Sequence, residues 1–190
     1  MNNIDTTLID KAIMYATNNH HNVLRKGKKI PYILHPLEAM AIVSTLTDDY
    51  EIIAAAALHD LIEDTTVKYE DIKREFGKRI ADIVINESDN ALEGYATMTW
   101  KEKKQKAFEK LKASPIECKM VALGDKLSNI RAIYYDYKAV GNKLWERFNV
   151  QDPKLHKWRY IELTKCFDEL KDTEAYKEFN RLVKEMFDGI

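Results

Sequence analysis

An apolar helical run in this chain ends in four ionisable residues. The stretch Ile52-Ile-Ala-Ala-Ala-Ala-Leu-His-Asp-Leu-Ile-Glu-Asp64 sets His59, Asp60, Glu63 and Asp64 among Leu58, Leu61 and Ile62. On a helix, residues four apart share a face, so His59 aligns with Glu63 and Asp60 with Asp64, in adjacent rows. Like charges at that spacing weaken a helix by a few tenths of a kcal/mol. Burying unpaired carboxylates costs several kcal/mol each. A solvated helix face would avoid that cost, but the flanking residues are too apolar to face water on most sides. A bound divalent cation accounts for the pattern better.

Further donors must come from distant parts of the chain. His35 lies near the start of a helix, where the positive end of the dipole favours the neutral imidazole that binds metal. A purely structural cap is the alternative for this residue. Asp125 interrupts the apolar pattern of Val121-Ala-Leu-Gly-Asp-Lys-Leu-Ser-Asn-Ile-Arg131. Gly124 beside it costs about 1 kcal/mol relative to alanine in a helix interior, which points to close approach by another helix or a ligand. Asn129, four residues on, shares the face of Asp125, whereas Lys126 is expected to face a different side.

His35, His59, Asp60 and Asp125 make a mixed nitrogen and oxygen donor set. Octahedral Mn²⁺ suits that set best, with Fe²⁺, Mg²⁺ and Zn²⁺ as alternatives. Such a cation makes a coordinated water acidic enough to supply hydroxide near neutral pH. Glu63 and Asp64, left over from coordination, would orient or deprotonate it.

The elements that must carry these residues are helical. Apolar spacing at three and four residues dominates, and strand-like alternation is nearly absent. The pattern predicts a first helix over Thr7 to Val23, followed by a basic loop, Arg25-Lys-Gly-Lys-Lys29. A second helix is opened by Pro36, with His35 near its N-cap, and runs to Leu46. A third is capped by Asp49 and runs to Glu63. Shorter helices follow over Tyr69 to Phe76, stopped by Gly77, and from Lys78 to Asn86. Residues 87 to 98 read as a loop. Capping boxes at Thr99–Glu102 and Ser114–Glu117 open two more helices, the second of them long. Asp152-Pro153 and Asp172-Thr173 mark two further starts, the last helix covering 173–187. The expected architecture is one all-α domain spanning 1–190, with a core over about residues 7–170 and about nine or ten helices.

Bulk properties narrow the function. The chain has 190 residues, 45% of them hydrophobic and 32% charged, with a formal net charge of −1. That balance favours no nucleic-acid or membrane partner. No apolar run approaches the roughly 20 residues that span a bilayer. The start lacks a secretion-signal pattern, and the two cysteines, Cys118 and Cys166, are isolated, so a cytoplasmic setting is expected. Oligomeric state is not legible. Tyr134, Tyr135, Trp158 and Tyr160 read as core residues, Lys101 to Lys106 as a solvated helix face, and His20, His21 and His156 as surface or structural.

The spaced set His35, His59-Asp60 and Asp125 resembles the defining pattern of the HD superfamily of metal-dependent phosphohydrolases. Arg25-Lys26, Pro31-Tyr-Ile-Leu-His-Pro36, His59-Asp-Leu-Ile-Glu-Asp-Thr65 and Gly124-Asp-Lys-Leu-Ser-Asn-Ile-Arg131 resemble more narrowly the hydrolase domain of RelA/SpoT-type proteins. They are similar above all to the stand-alone small alarmone hydrolases of the metazoan SpoT-homologue type. Leu34 departs from the family, which often carries asparagine there. The resemblance implies an HD-domain helical bundle that hydrolyses guanosine 3′,5′-bis(diphosphate), releasing pyrophosphate from the 3′ position with Mn²⁺. It implies His35, His59, Asp60 and Asp125 as metal ligands and Glu63 and Asp64 as the catalytic acidic pair. Arg25, Lys26 and Asn129 would contact the nucleotide. An HD-type hydrolase of another nucleotide, and a non-catalytic helical binding module, remain the alternatives.

Overall fold

The structure, a computed structural model, describes residues 5–88 and 97–190. Among these residues the chain forms ten α-helices and no strand. They are α1 (Thr7–Asn19), α2 (Leu34–Val43), α3 (Tyr50–Leu58), α4 (Leu61–Asp64), α5 (Tyr69–Phe76), α6 (Lys78–Glu87), α7 (Trp100–Ala113), α8 (Ile116–Val140), α9 (Pro153–Cys166) and α10 (Glu174–Phe187). A 3-10 segment, Gly141–Arg147, follows α8. No helix among the described residues is long and apolar enough to cross a membrane.

Two apolar cores share α8. The first is built on α3, whose residues Ile52 to Leu58 are all buried against α1, α2, α6 and α8. Its four consecutive alanines keep those neighbours close. The second core gathers Leu123, Leu127 and Ile130 of α8 with Tyr160, Leu163, Phe179 and Leu182 of α9 and α10. Because α8 touches both cores, it is rigidly placed, and so is Asp125 upon it.

Several boundaries differ from the sequence pattern. The first helix ends at Asn19, not Val23, because Asn22 takes a left-handed φ of 61° and Leu24 enters an isolated antiparallel bridge with Pro31. The second starts at Leu34, so Pro36 is its third residue and His35 its second; a missing N–H has no intrahelical partner anywhere in the first turn. That helix also stops at Val43, three residues short of Leu46. The expected third helix is divided: α3 stops at Leu58 and α4 resumes at Leu61. His59 caps the break, its Nδ1 lying 2.8 Å from the Ala56 carbonyl.

The Thr99–Glu102 capping box forms, with the Thr99 N–H donating to Glu102 at 2.7 Å. The Ser114–Glu117 box does not. Arg79 takes the Glu117 carboxylate at 2.9 Å, in a bond where both partners are charged and not only the carboxylate, and Ser114 turns to the Lys110 carbonyl. Most of the expected loop over 87–98 lies outside the described residues; Glu87 itself closes α6. Tyr160 is core, but Tyr135 is 67% exposed. His20 and His156 are buried and His21 is exposed.

Gly124 sets the α2–α8 distance. A Cβ there would stand 2.8 Å from the Ala39 carbonyl oxygen and 2.7 Å from Val43 Cγ2. The backbone oxygen cannot rotate away. Gly124→Ala is therefore expected to lower stability by about 2 kcal/mol, overpacking outweighing the gain in helix propensity. Thermal melts would show a fall of roughly 4–8 °C. An unchanged melting temperature would mean that the helix pair has slack.

His156 supplies a pH dependence away from the cluster. It stacks on Trp145 with ring centroids 5.0 Å apart, and its Nε2–H meets the Val150 carbonyl at 2.7 Å. Burial pushes its pKa below the ordinary 6.5. Its contribution is complete above pH 6.5. Below that, the unfolded chain takes up a proton that the folded protein refuses, so stability falls by up to about 1.4 kcal/mol per pH unit. Urea midpoints of wild type and His156→Phe should diverge as pH falls from 7 to 5.5, wild type losing more. Parallel curves would exclude His156 as the source.

Candidate metal centre

Three helices deliver three ligand atoms to one point. His35 comes from the first turn of α2, His59 from the end of α3 and Asp125 from the middle of α8. One donor atom of each lies within 4.8 Å of the other two, and all three residues are buried. His35 Nε2 is 3.1 Å and His59 Nε2 is 3.7 Å from Asp125 Oδ1. Asp60, the fourth expected ligand, lies beside the two imidazoles and outside that mutually close trio: its Oδ2 is 3.0 Å from His59 Nε2 and 3.5 Å from His35 Nε2.

The donors fit a divalent cation on two independent grounds. His59 Nδ1 is committed to the Ala56 carbonyl, so in the neutral ring Nε2 carries the lone pair. That Nε2 is buried and has no hydrogen-bond partner. With both imidazoles neutral, Asp60 and Asp125 together carry two negative charges, the complement of a divalent ion. The titration directions express the same demand for positive charge. Burial disfavours a charged His59, yet Asp60 and Asp125 outweigh it and hold its pKa well above 6.5. Burial likewise works against an ionised Asp125, but Lys126 and the two imidazoles keep its carboxyl well below the usual range.

Other polar groups ring the centre. The Tyr32 hydroxyl lies 2.5 Å from Asp60 Oδ2 and 2.9 Å from Asp64 Oδ2. Burial and the nearby charge of Asp60 raise the pKa of Asp64, with the Tyr32 bond opposing them. Glu63 is exposed on the wall of the same cavity, a space of about 210 Å³ that also reaches Arg25, Asn129 and Arg159. Asn129 donates to Asp125 Oδ1 at 2.5 Å and accepts from Arg25 Nη2 at 3.0 Å.

A second cavity of about 200 Å³ shares Arg25, Tyr32, Asn129 and Arg159 with the first. The two therefore form one cleft, polar at the cluster and partly apolar at Ile133, Leu144, Phe148 and Tyr160. Lys26 borders only this outer part, and its ammonium reaches Asn149 at 3.1 Å.

One lysine departs from the sequence expectation. Lys126 was expected to face away from Asp125, but its ammonium contacts Asp125 Oδ2; a flexible four-carbon stem lets the head group double back. Lys104, half-buried on the otherwise solvated face of α7, borders the inner cavity. Three participants were missed. Tyr32 sits three residues before His35, a spacing that could have flagged it. Arg159 and Glu87 gave no signal, because only the tertiary fold brings α9 and the end of α6 to the cleft. Burial pushes Glu87 up to about 7, with Lys126 opposing.

Comparison with known proteins places this geometry. Residues 12–147 match the HD domain family. The chain is 34% identical over 152 residues to the guanosine-3′,5′-bis(diphosphate) 3′-pyrophosphohydrolase MESH1 of Xenopus tropicalis, covering 78% of this chain and 79% of that one. It is 29% identical over 188 residues to the guanosine-3′,5′-bis(diphosphate) 3′-pyrophosphohydrolase of Aquifex aeolicus, 93% of this chain but only 26% of that longer protein. Among solved structures, a metazoan orthologue of SpoT that hydrolyses ppGpp superposes with a TM-score of 0.79, at 19% identity, over 97% of this chain and 98% of its own. A Listeria monocytogenes protein superposes with a TM-score of 0.71, at 28% identity, over 81% of this chain and 99% of its own. The fold is shared with both. With its His35, His59-Asp60 and Asp125 drawn together inside the matched span, the chain belongs to the HD-domain family.

Proposed function

We propose that this protein hydrolyses guanosine 3′,5′-bis(diphosphate), and its pentaphosphate counterpart, at the 3′-diphosphate, releasing pyrophosphate and leaving the 5′-diphosphate and the 5′-triphosphate nucleotide respectively. The observation that carries the reading is the convergence of His35, His59 and Asp125, with Asp60 against them, at the polar end of a cleft large enough for a nucleotide. His35, His59, Asp60 and Asp125 would hold the cation, and Mn²⁺ is the ion that their mixed donor set favours. When bound, that cation supplies Lewis-acid polarisation of a phosphoryl oxygen.

The chain's own groups do the rest. Glu63 and Asp64, at the wall of the cavity, accept the proton of the attacking water. Tyr32 has one hydroxyl hydrogen, which it donates to Asp60 at 2.5 Å, with the Asp64 carboxyl also within reach at 2.9 Å. Arg25 and Arg159 neutralise charge that develops on the phosphoryl oxygens as the bond breaks. Asn129 fixes both Arg25 and Asp125. The outer cavity, with Lys26 at its rim and apolar side chains on its wall, receives the nucleoside. On this reading residues 1–190 work as one hydrolase domain. Both cysteines are free and buried, which suits a cytoplasmic enzyme.

A product assay tests the proposal. Mn²⁺-loaded protein should convert guanosine tetraphosphate to guanosine 5′-diphosphate and pyrophosphate, with no accumulation of orthophosphate. Faster cleavage of simple nucleoside monophosphates would overturn the substrate assignment and favour an HD hydrolase of another nucleotide.

A further inference from the structure

Behind His35, on the side away from the cleft, runs a chain of polar groups that the reaction itself does not require. His35 Nδ1 lies 2.8 Å from Ser128 Oγ. Ser128 Oγ lies 2.8 Å from Glu38 Oε2. Glu38 Oε1 accepts from Arg131 Nη1 at 3.0 Å, and Arg131 also grips Glu178 of α10 with two bonds, at 2.8 and 2.6 Å. Glu38 is three residues beyond His35 on α2, and Ser128 is three residues beyond Asp125 on α8. Each helix thus presents a ligand and its supporter on one face, and Gly124 brings the two faces together.

Proton counting gives the chain a direction. A serine hydroxyl has one hydrogen. Glu38, paired with the Arg131 guanidinium, is a carboxylate and can only accept. The Ser128 proton therefore goes to Glu38, and Ser128 Oγ is left to accept from the ring. His35 must then carry its proton on Nδ1, which leaves Nε2 with a lone pair facing Asp60 and Asp125.

We propose that Ser128 and Glu38 are positioning residues, a hydroxyl relay that locks His35 in the Nδ1–H tautomer and so presents its Nε2 as a ligand. Without the relay, Ser128 is free to donate to Nδ1. His35 then protonates Nε2, donates to Asp125, and is lost to the cation. Arg131 and Glu178 hold the relay from outside, tying the tautomer of a buried ligand to the seating of the last helix. The inference rests on the metal-centre reading above for its consequence, but not for the tautomer.

Glu38→Gln is the informative substitution. Its amide oxygen stays with Arg131 and its NH₂ turns to Ser128, which reverses every donor in the relay while preserving shape. Glu38 is half-buried, so the variant is expected to fold, as a thermal melt would confirm. Mn²⁺ titrations followed by the EPR signal of the free ion should show affinity weakened about 10- to 100-fold, the usual effect of losing a ligand's outer partner. Ser128→Ala should weaken it comparably. The double variant should be no weaker than either single one, because both interrupt the same relay. Nitrogen-15 NMR of the metal-free proteins at alkaline pH should place the His35 proton on Nδ1 in wild type and on Nε2 in Glu38→Gln.

The same tautomer in both proteins, or additive losses in the double variant, would overturn the inference. Wild type that binds no Mn²⁺ yet shows the expected tautomers would remove the metal centre and leave the relay standing. Should Ser128→Ala fail to fold, the Glu38→Gln comparison decides alone.

Discussion

Asp60→Ala protein is expected to come off a desalting column without Mn²⁺ after loading, where wild type retains about one ion per chain. Its Oδ2 stands 3.0 Å from His59 Nε2 and 3.5 Å from His35 Nε2, so the substitution removes an oxygen donor from beside both imidazoles. It also removes one of the two negative charges that balance a divalent ion. With Asp125 alone the site carries a single negative charge, which Lys126 already contacts. Pyrophosphate release should fall by at least about 10³-fold, since the cation contributes several kcal/mol and each 1.4 kcal/mol is tenfold. Metal analysis and the product assay on the same sample check both halves. Helix content by circular dichroism should stay the same, because the break between α3 and α4 is held by His59 and Ala56 rather than by Asp60. Full Mn²⁺ occupancy in Asp60→Ala would remove Asp60 from the donor set.

Glu63→Gln should separate binding from chemistry. Glu63 is exposed at the wall of the cleft and stands outside the buried trio of ligand atoms. The variant should therefore keep its metal and its KM while kcat drops about 10²- to 10⁴-fold, the range for losing a group that takes a proton in the transition state. Asp64 is the group able to replace it in part, because burial and Asp60 raise its pKa towards that of a better base. Asp64→Asn alone should cost less than Glu63→Gln, and the double variant should fall to the level of the metal-free protein. Normal turnover by Glu63→Gln would show that the proton leaves by another route.

Much of this centre is legible in residue types and spacing. An imidazole and three carboxylates at the end of an apolar helix mark where it leaves the dry core, although the structure buries only His59 fully, half-buries Asp60 and leaves Glu63 and Asp64 exposed. Gly124 beside Asp125 signals close approach, and the structure gives the reason: Ala39 O and Val43 occupy the space of a side chain. Helix starts with a committed capping residue, such as Asp49, Thr99, Asp152 and Thr173, are equally legible, because the cap and its N–H partner are neighbours in sequence. The Ser114–Glu117 box fails for the opposite reason. Arg79, 38 residues away in sequence, offers Glu117 a charged partner.

The amino-acid sequence by itself determines that the chain is helical and that His59-Asp60 ends an apolar run, and it marks His35 and Asp125 as candidates to join that pair. These follow from periodicity and from the cost of burying charge, both of which act over a few residues. Only the tertiary structure decides that Lys126 folds back onto Asp125, that Tyr32 bridges Asp60 and Asp64, and that Arg159 and Glu87 face the cleft. It alone sets the proton of His35 through Ser128 and Glu38. Those contacts join side chains from separate helices, and their partners depend on how α2, α8 and α9 cross, a geometry that local pattern does not encode.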